Sequence, residues 1–267
     1  MMLIAGIDIG SGTTKAVLVD GDGTVRGRGL LRTQADFEKV TREALGAARQ
    51  DAGAAESDVA YVATTGLGRY AVPFRDIQIT DLTCGARGAA TLVPSTRFVL
   101  DIGAQCSRAI KLRDGGKVKE FHMNEKCAAG SGGFLERAAK YLEVGLADIG
   151  PLSLGAGQPQ PISSVCAVLA ESEIINHVSE GVSVENILRG IHNSLADRGL
   201  SLLKRVGLDG EVTLIGGVAL QAGMVAALRD KLGVPVHVPD APQFTTALGA
   251  ALLGLQRFRK LAGARAA

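Results

Sequence analysis

Two periodicities alternate along the chain. Short apolar runs close on an aspartate or a glycine and predict strands. Between them lie longer stretches whose apolar positions recur every three or four residues and predict helices. The first run delivers Asp8, and a second short run follows it. A helix is predicted over residues 36–51, with Phe37, Val40, Ala44 and Ala47 as its apolar stripe and Gly53 as its stop. A strand over 59–63 and a helix after Asp81 come next, then a run that delivers Asp101. Helices are predicted over 128–142 and 167–180. Another runs from Ser183, an N-cap residue type, through Ile187, Leu188, Ile191, Leu195 and Leu202. The Gly- and Pro-rich segment 150–161 reads as a loop. A strand over 212–215, a helix over 220–232, a strand over 234–238 and a helix from Thr245 complete the pattern. Arg257, Arg259 and Lys260 lie near the end of that last helix, where its dipole favours cations. Strands alternating with helices give an α/β class.

Two segments align without a gap. Asp8-Ile9-Gly10-Ser11-Gly12-Thr13-Thr14-Lys15-Ala16-Val17 runs on to Gly23 and Val25. Asp101-Ile102-Gly103-Ala104-Gln105-Cys106-Ser107-Arg108-Ala109-Ile110 runs on to Gly116 and Val118. Each is a strand that delivers an aspartate, a small polar turn, a second strand and a Gly-rich turn, so a β-hairpin is stated twice. The duplication implies two related lobes with a cleft between them. The first lobe is expected over residues 1–95, joined by the C-terminal helix 249–267, and the second over 96–248.

A chain of 267 residues can bury a core of that size. With 46% hydrophobic and 21% charged residues it reads as globular. A net charge of +2 with both signs interspersed gives no argument for nucleic acid or an anionic membrane surface as partner. The N-terminus runs straight into the first strand and lacks the basic stretch of a signal peptide. The longest apolar run, 247–255, is too short to span a bilayer. A cytoplasmic location is expected, where structural disulfides are disfavoured. Cys84, Cys106, Cys127 and Cys166 therefore read as free thiols, ligands or nucleophiles.

A turn rich in Gly, Ser and Thr can aim backbone N–H groups and hydroxyls at a phosphate. Two carboxylates, Asp8 and Asp101, suit Mg²⁺, which keeps most of its waters and takes few protein ligands. Lys15 would add a cation. The plain alternative is a tight turn with a capping Asp, and it is the second copy that favours phosphate. Gly216-Gly217 after a strand admits an adenine or ribose against the backbone, or simply makes a strand-to-helix turn. No Gly-x-x-x-x-Gly-Lys-Ser/Thr run is present, and no Gly-x-Gly-x-x-Gly follows the first strand, which argues against a P-loop and a dinucleotide fold. Cys127 and Cys166 each stand just ahead of a predicted helix. Alone, either reads equally as a small buried hydrophobe. Cys84, among small residues in a helix, reads as core. His122, His177, His192 and His237 show no metal spacing, and His177 and His192 read as surface or packing residues. Glu171 and Glu173 read as capping a helix's first turn, with tuning of a nearby metal group as the alternative.

The order of these turns resembles the actin, hexokinase and heat-shock chaperone superfamily of ATPases. Met123-Asn124-Glu125-Lys126-Cys127-Ala128-Ala129-Gly130-Ser131-Gly132 and Ser163-Ser164-Val165-Cys166-Ala167-Val168-Leu169-Ala170-Glu171-Ser172-Glu173 resemble one branch of it. That branch is the ATP-dependent activators of 2-hydroxyacyl-CoA dehydratases and the ATPase subunits of benzoyl-CoA reductase. The resemblance implies two ribonuclease H-like lobes around a nucleotide cleft. It implies ATP and Mg²⁺, bound by Gly10, Ser11, Gly12, Thr13, Thr14, Lys15, Gly103, Ala104, Gln105, Gly216, Gly217 and Gln243. Asp8 and Asp101 would be the catalytic and magnesium-binding carboxylates, with Asp101 the first choice for placing the hydrolytic water. The resemblance also implies a 4Fe–4S cluster on Cys127 and Cys166. Two thiols per chain make the usual four when a second copy or a homologous ATPase subunit pairs with the first. Cys106 and Ala104 stand where the activators commonly carry Asp and Gly, a departure that tilts the reading towards the reductase subunit.

In function, the resemblance implies ATP-driven delivery of an electron to a CoA-thioester reductase or dehydratase, with a ferredoxin- or flavodoxin-type donor. A small-molecule kinase of the same superfamily and a non-redox nucleotide sensor or assembly chaperone are the alternatives. Neither needs Cys127 or Cys166.

Overall fold

The computed structural model describes residues 1–124, 131–163 and 167–266. They form two compact units. One comprises Met1–Ser95, Arg113–Val118 and Phe244–Ala267, and the other Thr96–Leu112 and Lys119–Gln243.

The first unit is built on five strands, β1 (Leu3–Ile9), β2 (Thr13–Val19), β3 (Val25–Arg32), β4 (Val59–Gly66) and β5 (Ile77–Gln78). Their order is β3-β2-β1-β4-β5. The first three form an antiparallel meander, and β4 lies parallel to β1. Every residue of β1 is buried, so both faces of the central strand are covered. Side chains alternate between two cores, as strand geometry requires. Leu3, Ala5, Ile7 and Ile9 pack with Ala44 and Ala48 of helix α1 (Phe37–Ala52). Ile4 packs on the other face with Ala247, Leu248 and Ala251 of the C-terminal helix, Thr245–Ala266. That helix lies so close that a Cβ on Gly6 would stand 2.2 Å from the Ala247 carbonyl oxygen. The small residues of 247–255 are thus explained by helix-on-sheet packing. No helix among the described residues is long and apolar enough to cross a membrane.

Helix α1 starts and stops as its sequence predicts. Asp36 accepts from the Lys39 N–H, and Gly53 closes the C-terminus with φ +61°. Its buried stripe is Val40, Thr41, Ala44 and Ala48, so Ala48 takes the place expected of Ala47. Helix α2 (Asp81–Leu92) is capped by Thr80 and carries Cys84 fully buried.

A second sheet repeats the plan with β6 (Phe98–Ile102), β7 (Ser107–Arg113), β8 (Lys117–Asn124), β9 (Val212–Ile215) and β10 (Val236–His237). Their order, β10-β9-β6-β7-β8, is the first sheet's order with each strand replaced by its counterpart. The duplicated hairpin is therefore part of a duplicated five-stranded sheet. The third strand of each meander, β3 and β8, was not expected from the sequence. The copies differ in what joins the third strand to the fourth. In the first unit the connection carries α1 and a 3-10 turn. In the second it carries α3 (Gly132–Tyr141), α4 (Ile149–Leu154), α5 (Ala167–Ser179) and α6 (Val184–Arg205). Ser183 caps α6, accepting from Asn186. Helix α7 (Ala222–Leu232) joins β9 to β10, and the C-terminal helix is α8.

Helix α4 corrects the loop expected over 150–161. Pro151 falls in its first turn, where an N–H has no intrahelical partner, so proline is tolerated there. Ile149, Gly150 and Ser153 are buried. Ser153 Oγ lies 2.7 Å from Nδ1 of His192 on α6, and both residues are almost wholly buried. His192 is thus a packing residue, as its sequence context suggested. His177 is half-buried, beside Glu180.

Burial, reinforced by the positive charge of Arg189, pulls His192 down to about 3. The folded protein holds this imidazole neutral while the unfolded chain protonates it near pH 6.5. The resulting stability is complete above that pH and is lost as pH falls towards the folded value. Urea unfolding between pH 7 and pH 5 is expected to show a stability slope approaching about 1.4 kcal/mol per pH unit, which His192→Gln flattens. An unchanged slope in His192→Gln would contradict the assignment.

Candidate functional site

In the first unit the turn between β1 and β2 is closed by the Gly10 N–H, which donates to the Thr13 carbonyl at 3.2 Å. Thr33, just past β3, staples the turn from the side. Its hydroxyl donates to the Gly10 carbonyl at 2.7 Å and its N–H to the Gly12 carbonyl at 3.0 Å. Thr14 and Thr33 hydroxyls lie 2.9 Å apart. Asp8 and Lys15 face each other across the antiparallel pair, and Lys15 Nζ donates to Asp8 Oδ2 at 3.0 Å. Both side chains are largely withdrawn from solvent.

The second unit does the same with different residues. The Gly103 N–H donates to the Cys106 carbonyl at 2.9 Å. Asp101 and Arg108 are cross-strand partners, and Arg108 Nη1 donates to Asp101 Oδ2 at 3.0 Å. Cys106 thus occupies the place of Thr13, where the contribution common to both copies is the backbone carbonyl. Gln105 is exposed at the tip.

A glycine completes each copy. Gly66, at the end of β4, has φ +84°, and Gly216, just after β9, has φ +90°. A Cβ on Gly66 would lie 2.5 Å from Asp8 Oδ1 and 2.5 Å from the Ile9 carbonyl oxygen. A Cβ on Gly216 would lie 2.7 Å from Asp101 Oδ1 and 2.5 Å from the Ile102 carbonyl oxygen. Both positions need glycine twice over, for the backbone angle and for the space. The Gly216 N–H donates to the Pro242 carbonyl at 3.0 Å, which fixes the 3-10 turn Pro242–Phe244 and with it Gln243. Gly217 is exposed and opens the 3-10 turn Gly217–Leu220.

Gly216 was expected from the sequence, and its counterpart Gly66 was missed. Thr64-Thr65-Gly66-Leu67-Gly68 is the same strand-then-glycine signal as Leu214-Ile215-Gly216-Gly217, without the double glycine that draws attention. Thr33 was missed for a different reason, since only the third strand brings it back to the turn.

Cys127 and Cys166 lie outside the described residues. The helices that follow them are described. The N–H groups of Gly132 and Gly133, at the start of α3, donate to the carbonyls of Gly103 and Ala104 at 2.9 and 2.7 Å. Glu171 on α5 accepts from Arg137 Nε and, at 3.2 Å, from the Tyr141 hydroxyl, both on α3. Glu173 accepts from the Ser163 N–H. Neither glutamate lies in the first turn of α5, which corrects the capping role expected of them. Cys84 is no ligand. Burial pushes its thiol up to about 12. Among the described residues no group of three or more His, Cys, Asp or Glu is placed to hold a metal ion.

The whole frame spans residues 8 to 243, and comparison with known proteins decides its family. Residues 5–254 match the BadF/BadG/BcrA/BcrD ATPase family. The chain belongs to this family. It is similar to one of the subunits of benzoyl-CoA reductase from Thauera aromatica, with 45% identity over 273 residues covering 98% of this chain and 96% of the relative. Its structure is similar to that of the activator of 2-hydroxyisocaproyl-CoA dehydratase from Clostridium difficile with bound ADPNP. There the TM-score is 0.94 at 37% identity, covering 98% of this chain and 97% of the other. A likeness to a ROK family glucokinase from Streptomyces griseus, TM-score 0.60 at 15% identity over 95% of this chain and 99% of the other, shows the fold alone. The fold is therefore the actin/hexokinase type expected from the sequence.

The two glycine positions give a direct test of the frame. Gly66→Ala and Gly216→Ala are each expected to lower Mg·ATP affinity at least about tenfold, about 1.4 kcal/mol, in isothermal titration. Gly53→Ala, at a helix end with nothing within 4 Å of the added Cβ, is expected to leave affinity unchanged. Equal affinities in all three variants would contradict the assignment.

Proposed function

We propose that this chain is an ATP-hydrolysing iron–sulfur electron donor that drives low-potential electron transfer to a partner CoA-thioester reductase, of the benzoyl-CoA reductase ATPase subunit type. The observation that carries this reading is the duplicated carboxylate–glycine frame in a chain that also bears Cys127 and Cys166 ahead of α3 and α5.

The residues fit a magnesium nucleotide. Asp8 and Asp101 are buried carboxylates at the ends of central strands, hard oxygen donors that would hold Mg²⁺. Gly66 and Gly216 let each carboxylate lie directly against the backbone, since a Cβ there would stand 2.5 and 2.7 Å from Asp8 Oδ1 and Asp101 Oδ1. Gln243 Oε1 is buried and has no hydrogen-bond partner among the described residues, an acceptor suited to a donor on the nucleotide. Gly10, Ser11, Gly12, Thr13 and Thr14, and Gly103, Ala104 and Gln105, would supply the contacts to phosphate oxygens. Lys15 would offset phosphate charge, Gly216 and Gly217 would admit the adenosine, and Asp101 would orient the attacking water.

The thiols fit a cluster by donor chemistry. Four thiolates hold a 4Fe–4S centre, and Cys127 and Cys166 supply two per chain, so two chains complete the set. Cys84 is excluded by its burial. When bound, the cluster supplies one-electron transfer at low potential. The N-terminal end of α5, which begins at Ala167, would favour negative charge on Cys166 by about 0.3 to 1 kcal/mol, whereas the first N–H groups of α3 are taken by the Gly103 and Ala104 carbonyls. Nucleotide would move the chain only by binding two conformations with different affinity, and hydrolysis would then shift the balance between them.

A homodimeric activator of a 2-hydroxyacyl-CoA dehydratase is the second reading, favoured by the TM-score of 0.94 to such an activator. Ala104 and Cys106, and the 45% identity to a benzoyl-CoA reductase subunit, favour the first. In either case a ferredoxin- or flavodoxin-type protein supplies the electron, and the cytoplasm is the proposed location.

Anaerobically purified protein is expected to be brown, with about two irons per chain. After dithionite its EPR spectrum should show a reduced 4Fe–4S signal. Cys127→Ala and Cys166→Ala should each abolish that signal and leave ATP binding intact. A spectrum indifferent to both substitutions would refute the proposal.

A further inference from the structure

The turn that begins Gly103-Ala104 does more than close β6 onto β7. Its two carbonyls are the acceptors for the first N–H groups of α3, at 2.9 Å from Gly132 and 2.7 Å from Gly133. These are the N–H groups that a helix start leaves without an intrahelical partner, so the turn acts as the helix's cap. There is little slack in the joint. A Cβ on Gly133 would stand 2.8 Å from the Ala104 carbonyl oxygen, and one on Gly132 would stand 3.0 Å from a Val218 methyl and 3.3 Å from the Gly103 carbonyl oxygen. A displacement of the turn is therefore passed to α3 through two short backbone bonds.

Helix α3 is tied in turn to α5. Phe134, Leu135 and Ala138 share a buried core with Ala170 and Ile174. Apolar contact is non-directional and permits sliding and rotation. The polar tie removes that freedom. One oxygen of Glu171 accepts from Arg137, and the other accepts from Tyr141, one helical turn further along α3. A carboxylate gripped at two points on one helix face fixes both the register and the rotation of α5 against α3. Glu171 is also much less exposed than an ordinary surface carboxylate, at 19% of its side-chain area.

We propose that Glu171 is the positioning residue that conveys the state of the Gly103-Ala104 turn from α3 to α5. This rests on the reading above, in which the turn meets phosphate and both helices follow cluster cysteines. It makes α3 and α5 move as one body when the turn moves. Without Glu171, α3 still follows the turn while α5 does not.

Hydrogen–deuterium exchange on the cluster-free chain, with and without a Mg-bound non-hydrolysable ATP analogue, tests this without any redox activity. In the wild type, nucleotide should slow exchange about fivefold or more in the turns at 10–15 and 103–107 and, in step, in both α3 and α5. Glu171→Gln, its fold checked by circular dichroism, should keep the response of the turns and of α3 and lose that of α5. The charge-exchanged pair Arg137→Glu with Glu171→Arg should restore it. An α5 response in Glu171→Gln equal to the wild type would overturn the proposal. So would a wild type in which the turns are protected and α5 is not. Absence of protection in the turns themselves would overturn the nucleotide reading first and this inference with it, so the two failures are distinguishable.

Discussion

A buried carboxylate set across from a cation on the neighbouring strand is the constraint around which each half of this protein is arranged. Asp8 with Lys15 and Asp101 with Arg108 hold the same register in two antiparallel pairs. Such a pair contributes little net stability, but removing one partner leaves a buried charge uncompensated at a cost of about 3–5 kcal/mol. The rest of each frame accommodates the carboxylate. A glycine with positive φ stands beside it because no other residue fits, and a tight turn follows at once because the strand must reverse to bring the cation back.

The two copies share this frame and diverge in the connection after the third strand. In the first unit that segment carries α1, which covers one face of the sheet. In the second it carries four helices and the two cysteine segments. The divergence begins at the turn itself. In the first copy the Gly10 and Gly12 carbonyls are occupied by Thr33, a residue of the same meander. In the second, the Gly103 and Ala104 carbonyls cap α3. One turn is stapled to its own sheet, the other to a helix.

Much of this was legible in the chain because it is encoded locally. The gapless alignment of the two hairpins placed Asp8 and Asp101 in equivalent positions. Gly53 and Ser183 are capping residues whose preference is set by one or two hydrogen bonds to near neighbours, and Asp36, read as the first helical residue, caps the helix instead. Cys84 among small residues reads as core and is core. What escaped was set by distant parts of the chain. Helix α4 looked like a loop because glycine and proline dominate its composition, and it exists because Ile149 and Ser153 find burial against α6. The third strand of each meander carries charged residues at alternate positions and lacks a continuous apolar run. Gly66 carries the same burden as Gly216, yet its neighbours Thr64 and Thr65 hide the likeness. Glu171 looked like a helix-capping residue by spacing, whereas its partners lie 30 and 34 positions earlier in the chain.

If nucleotide turns and half of a metal centre belong to one polypeptide, iron must travel with pairs of chains. Native mass spectrometry of anaerobic protein in Mg·ADP, with each chain contributing 27.6 kDa, measures this directly. The account predicts four irons and four sulfides only in species containing two ATPase chains, with one nucleotide per chain. A complete cluster carried by a single chain, or paired chains that hold nucleotide and never iron, would contradict it.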